Sequence, residues 1–246
     1  MYNKPRVIPV LSIIGNDLVK TEKFKNPRYL GDPVNAVKIF NGKYVDELVI
    51  CDIRATKDNT PVNFPLLKNI ASQAFMPLGY GGGIKTLDEA KLLYKTGFEK
   101  LIFSTQLHDN PELIKECVKH AGSQSVVASV DIKKNTSGSY NVFVDSGTRK
   151  VSDNLIEYIE EVVSLGVGEL IISFIDRESQ MNGYDLEIIK EISKKVSIPT
   201  IPLGGAKNIV DFQEAIKSGA HGVAAGSMFV FYGPRKAILI TYSELL

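Results

Sequence analysis

Gly79-Tyr80-Gly81-Gly82-Gly83-Ile84 and Gly204-Gly205-Ala206-Lys207 are two glycine-rich stretches placed 122 residues apart (82 to 204), and that interval recurs in the chain. Glu47-Leu48-Val49-Ile50 returns as Glu169-Leu170-Ile171-Ile172 (47 to 169), and Ser104-Thr105 as Gly226-Ser227 (104 to 226). Three segments in one register, near half of 246 residues, point to a duplicated half-domain. Each glycine stretch closes a short apolar run and opens an amphipathic one, the order of a strand, a tight turn and a helix.

Outward from these stretches, apolar runs rich in β-formers fall at 7–11, 47–51, 76–79, 100–103, 125–130, 169–174, 200–203 and 222–225. Amphipathic segments at 87–96, 111–120, 154–165, 185–195 and 209–218 lie between them, several opened by Asp, Asn or Pro and closed by Gly, as helix ends prefer. Eight strand-plus-helix units predict an α/β fold, a single (β/α)8 TIM barrel with a half-barrel repeat spanning 1–246. A doubly wound open sheet is the runner-up, and it has no need of the repeat. Residues 135–144 read as a turn and small hairpin inserted after strand five, and 232–235 precede an expected last helix.

Hydrophobic residues make up 44% and charged residues 23%, enough apolar matter for a large core. With 29 basic against 28 acidic residues there is no broad positive field, which disfavours nucleic acid and anionic membranes as partners. No apolar run in the first residues is long enough for a signal peptide, so a cytoplasmic location is expected. Cys51 and Cys117 lack metal-ligand spacing and read as buried thiols. His108, His120 and His221 are scattered, so no metal site and no cofactor are expected.

The chemistry concentrates at strand ends. Gly82-Gly83 and Gly204-Gly205 can bring backbone N–H groups close to an anion, and each is followed one unit later by a small cluster, Ser104-Thr105 or Gly226-Ser227. Two such grips on one face would hold a small molecule carrying a phosphate at each end. Asp52, Asp131 and Asp176 follow apolar runs at the same rim, where a carboxylate can move protons, orient a hydroxyl or simply cap a helix. Asp131 is the best proton-transfer candidate, because its apolar approach should raise its pKa. At the opposite rim Arg6, Glu47, Lys100 and Glu169 begin strands. Two cations and two anions there can form a stabilising ring, or a gate for a small neutral passenger.

These residues also carry a resemblance. Gly31-Asp32-Pro33-Val34, Asp46-Glu47-Leu48-Val49, Gly81-Gly82-Gly83-Ile84, Gly122-Ser123-Gln124, Asp176-Arg177, Gly183-Tyr184-Asp185 and Gly204-Gly205-Ala206 follow one another as in HisF, the cyclase subunit of imidazole glycerol phosphate synthase. The resemblance runs from about residue 6 to about residue 231. It implies a subunit of a glutamine amidotransferase complex, a heterodimer with a HisH-type glutaminase at the N-terminal face. Ammonia would then enter through a gate of Arg6, Glu47, Lys100 and Glu169 to attack a bisphosphorylated histidine-biosynthesis substrate, a lyase-type cyclisation.

The family's acid–base pair falls on Asp131 and on Ser12, where an aspartate is missing. A hydroxyl cannot replace a carboxylate near neutral pH. The family's Asp-Arg-Asp-Gly-Thr is here Asp176-Arg177-Glu178-Ser179-Gln180, and Ser104 and Leu203 replace an asparagine and a serine. Lys20, Asp52, Gly82, Gly83, Ser104, Thr105, Asp176, Ser179, Gly204, Gly205, Gly226 and Ser227 remain the expected substrate- and phosphate-contacting set. Three readings follow: an ammonia supplier to another acceptor, such as a sugar awaiting amidination, with a downstream ammonia-accepting enzyme docked above; a working histidine-pathway cyclase; or a non-catalytic scaffold for the glutaminase. The sister isomerase HisA shares the half-barrel repeat but also needs an aspartate where Ser12 stands.

Overall fold

A computed structural model describes residues 5–242. Eight parallel strands form its centre: β1 (Arg6–Ile14), β2 (Leu48–Asp52), β3 (Leu78–Gly81), β4 (Lys100–Phe103), β5 (Val126–Lys134), β6 (Glu169–Phe174), β7 (Thr200–Leu203) and β8 (Gly222–Ala225). Neighbours in this order pair in parallel, and β8 returns to β1 with Arg6 opposite Gly222. The ring is closed, so the open-sheet alternative is excluded and the chain is a (β/α)8 barrel.

Helices Pro33–Asn41, Phe64–Ala71, Leu87–Thr96, Pro111–Ala121, Leu155–Ser164, Leu186–Lys195 and Ile209–Lys217 cover the strands. Their starts are written locally. Asp32, Asn63, Thr86, Asn110, Asn154, Asp185 and Asn208 each accept a hydrogen bond from a backbone N–H of the first turn, satisfying donors that the helix cannot. The last expected helix is not there among the described residues. After the short helix Ser227–Val230 the chain makes a small antiparallel pair, Phe231–Tyr232 with Ala237–Ile238. Gly233 at φ +70° and Pro234, which has no N–H to donate, turn the chain away from a helix. Beyond it the Tyr242 ring packs on Phe229 at 5.7 Å, and its hydroxyl lies 3.4 Å from the Val7 carbonyl oxygen.

Strand alternation sorts side chains into two cores. One parity faces the helices and includes Val7, Leu11, Leu48, Ile50, Leu170 and Ile172. The other fills the barrel with Ile8, Val10, Val49, Ile102, Val127, Ile171, Ile201 and Ala224. This inward parity places everything that follows, since its lower members are Arg6, Glu47, Lys100 and Glu169 and its upper members are Ser12, Cys51, Ser104, Asp131 and Ser173.

Two hairpins rise over the upper rim. Tyr140–Val144 pairs antiparallel with the end of β5, as expected for 135–144, and Arg149–Ser152 adds a third strand. The other, Asp17–Glu22 with Lys25–Gly31, continues from β1 by way of Ser12 opposite Val19. No described helix is long and apolar enough to cross a membrane.

Candidate functional site

At the lower mouth the four charged residues form a closed ring. The Arg6 guanidinium donates to both Glu47 and Glu169, and the Lys100 ammonium lies 2.9 Å from Glu47 Oε2 and 3.1 Å from Glu169 Oε2. Both carboxylates are buried. Each cation therefore bridges both anions, and no described member faces bulk water unpaired. Burial disfavours the Arg6 cation, but the two glutamates outweigh it and hold the group above its ordinary pKa.

Above the ring the interior is apolar, and then it opens into a cleft of about 990 Å³ at the C-terminal ends of the strands. Ser12, Cys51, Ser104, Ser129, Asp131 and Ser173 all line it, as the inward parity dictates. Asp131 is buried there, and burial lifts its carboxyl to about 7. Hydrogen bonds from the Ser173 and Ser104 hydroxyls, the latter at 3.2 Å, pull the other way without prevailing. The result is a carboxyl exchanging its proton near neutrality, the property asked of a general acid or base. Burial also pushes the Cys51 thiol up to about 12, which makes it a poor nucleophile in this cleft.

The other two rim aspartates serve the backbone. Asp52 has the opposite parity, and its Oδ1 accepts from the N–H groups of Arg54 at 3.1 Å and Ala55 at 3.0 Å. Burial still raises its pKa. Asp176 Oδ2 accepts from the Lys134 N–H at 2.9 Å, fixing the turn after β5. Each carboxylate is thus tied to the backbone through one oxygen, and both residues also line the cleft.

The two glycine grips lie at different ends of the cleft, and their glycines answer to backbone crowding. A Cβ on Gly82, at φ +123°, would sit 2.4 Å from the Asp52 carbonyl oxygen, and one on Gly205, at φ +111°, 2.1 Å from that of Gly183. Around Gly82, Gly83 and Ser104, the Thr105 hydroxyl oxygen accepts from the Asp145 N–H at 3.1 Å, which draws the hairpin of Tyr140–Val144 and Arg149–Ser152 over that end. Around Gly204, Gly205 and Gly226 the picture is different. Lys20 reaches this end, with its Cε 3.1 Å from where a Gly226 Cβ would stand, and there it pairs with Glu178. The Glu178 carboxylate also accepts from the Thr21 hydroxyl at 3.0 Å and the Phe24 N–H at 3.1 Å, while the Ser179 and Ser227 hydroxyls meet at 2.7 Å.

In the sequence Glu178 stands out only as a departure from a pattern. Nothing marks Ser129 there, whereas counting by two from Glu169 reaches Ser173. Among the described residues, no group of three or more His, Cys, Asp or Glu is arranged to hold a metal ion.

The family model described as histidine biosynthesis protein matches residues 6–234. A Leptospira borgpetersenii protein, provisionally named imidazole glycerol phosphate synthase subunit HisF, is 46% identical over 241 residues, covering 97% of this chain and 95% of that one. A Pseudomonas aeruginosa protein, provisionally named subunit hisF2 of the same synthase, is 41% identical over 241 residues, covering 98% and 96%. The Exiguobacterium sibiricum protein named imidazole glycerol phosphate synthase subunit HisF without that reservation is 37% identical over 224 residues, covering 91% and 90%. With a barrel of this order, a charged ring below and a hydroxyl-lined cleft above, the chain belongs to the HisF family of histidine biosynthesis proteins.

Proposed function

We propose that this chain receives ammonia from a HisH-type glutaminase docked on its lower face, passes it through the ring of Arg6, Glu47, Lys100 and Glu169, and delivers it above to an acceptor other than the histidine-pathway intermediate. The carrying observation is the composition of the upper inward layer. Ring closure on the family pattern asks for two carboxylates, and here Asp131 faces serines and a thiol, with Ser12 in the partner position. Removing one member of such a pair forfeits a factor of about 100 to 10,000 in rate. The similarity to two provisionally named relatives at 46% and 41%, against 37% for the fully named one, supports a lineage set apart from the ordinary cyclase.

The ring suits the passenger. A neutral molecule of the size of ammonia needs a brief opening between paired charges, and a paired ring repels no neutral species. The acceptor is of the kind a sugar awaiting amidination represents, held in the cleft or in a downstream enzyme seated over it. One observation favours the ordinary cyclase as the second reading: Asp131 titrates near 7, where acid–base work is most efficient.

The deciding experiment combines this chain with its cognate glutaminase, glutamine and the histidine-pathway substrate. Glutamine hydrolysis stimulated by this chain, without imidazole glycerol phosphate, is the expected result. Cyclisation at a rate ordinary for the family would overturn the proposal.

A further inference from the structure

Among the described buried acids, Glu47, Glu169, Glu178 and Asp185 each pair with a cation, and Asp52 accepts from two backbone N–H groups. Asp131 has neither. Its neighbours are hydroxyls, Ser104 on β4 and Ser173 on β6, and Ser173 stands opposite it in the β5–β6 register. Ser129 lies two residues below Asp131 on the same face of β5, opposite Ile171, and lines the same cleft. Each serine has one proton to donate and two lone pairs with which to accept. Ser104 and Ser173 use that proton on the carboxylate, so acceptor oxygen is what remains to them. Ser129 has no hydrogen-bond partner within the chain among the described residues. A guest that satisfies this group must donate several hydrogen bonds, accept none and carry positive charge. It must also fit between three adjacent strands. Beneath Ser129 the barrel is filled by Val127, Ile171 and Ile102, so on this wall Ser129 and Asp131 are the first polar groups above the charged ring.

We infer that the Asp131 carboxyl and the hydroxyl oxygens of Ser104, Ser129 and Ser173 form a binding site for one ammonium ion, where ammonia leaving the barrel is held as its conjugate acid until the acceptor takes it. The inference rests on the preceding reading for the source of the ammonia, and deepens it by locating a holding station. Ammonia is a stronger base than a carboxyl titrating near 7, so on arrival it takes the Asp131 proton. An N–H bond forms as the O–H bond breaks, and a carboxylate and an ammonium ion are left side by side. The reverse transfer frees ammonia with its lone pair for an acceptor above, and Asp131 regains its proton. The cation also supplies the partner that a buried carboxylate otherwise lacks. No other charge competes for it closely. Burial keeps the Cys51 thiol and the Tyr158 hydroxyl of the covering helix neutral, Lys20 is paired with Glu178, and Lys133 is exposed at the cleft mouth.

The test compares ammonium chloride with sodium and potassium chloride at equal ionic strength, read as thermal unfolding of the full chain. At pH 8, about 100 mM ammonium should raise the unfolding midpoint by about 3–5 °C over sodium, as for a site with a dissociation constant of about 10 mM. The gain should vanish in Asp131→Asn. In the wild type it should fade as the pH is lowered through about 7 and the carboxyl takes up its proton. An equal gain from potassium, a gain that survives Asp131→Asn, or no gain at all would overturn the inference. If Asp131→Asn fails to fold, the pH series on the wild type decides, and a gain as large at pH 5 as at pH 8 refutes the site. These readouts involve no glutaminase and no acceptor, so a failure of ammonia delivery and a failure of this inference are separately visible.

Discussion

The two mouths of the barrel treat buried charge in opposite ways. Below, two carboxylates and two cations are mutually bridged, and the carboxylates can be buried because every charge has two partners. Above, Asp131 is just as buried but is met by the hydroxyls of Ser104 and Ser173, and its carboxyl is pushed up to about 7. Compensated charge makes structure; uncompensated charge makes a group that titrates where cells live.

The largest expected effect is at the ring. Glu47→Ala leaves Arg6 and Lys100 sharing Glu169 alone, and should destabilise the fold by about 3–5 kcal/mol in urea unfolding. A loss below about 1 kcal/mol would show that the ring is solvated and break the contrast. Next comes Asp131→Asn. The folded carboxyl titrates near 7 and an unfolded one near 4, so between these values the folded state holds more protons. Wild-type stability therefore falls as pH rises through that window. The Asn variant escapes this, and should gain on the order of 1–3 kcal/mol over wild type at pH 8 and almost nothing at pH 4. Parallel stability curves for the two proteins would contradict the raised pKa.

Ser12→Asp places a second carboxylate in the same layer, one strand from Cys51. It should cost about 1–2 kcal/mol at pH 8 and, with Ser179, Ser104 and Leu203 still departing from the family pattern, yield no imidazole glycerol phosphate. Recovered cyclisation would mean that the missing aspartate was the sole obstacle. The smallest effect is Ser104→Ala, which removes a bond favouring ionised Asp131. Its titration midpoint, followed by the pH dependence of stability, should rise by about half a pH unit.

Much of this was legible beforehand where the physics is local. Strand alternation counted from Glu47 and Glu169 finds the charged ring, and Asn or Asp before an amphipathic run marks helix starts. Other features depend on distant contacts. The hairpin at 17–31 is polar and bends through Lys23, Phe24 and Asn26 at positive φ, so by composition it reads as a loop, and pairing with β1 makes it a sheet. The backbone bonds of Asp52 are local, two and three residues on, whereas the bond from the Lys134 N–H to Asp176 spans 42 residues and no sequence pattern displays it. The Lys20–Glu178 pair joins residues 158 apart. The expected last helix was lost to two residues, Gly233 and Pro234.

The 122-residue repeat also bears on how the ring is assembled. It maps Glu47 onto Glu169, but it maps Lys100 onto Gly222, so the two halves contribute one anion each while both cations lie in the first. As separate fragments, two copies of the second half would set Glu169 against Glu169 with nothing to neutralise them. Two first halves would bring four cations to two anions. Only the mixed pairing reaches neutrality, so the charge balance of the lower mouth requires both unlike halves.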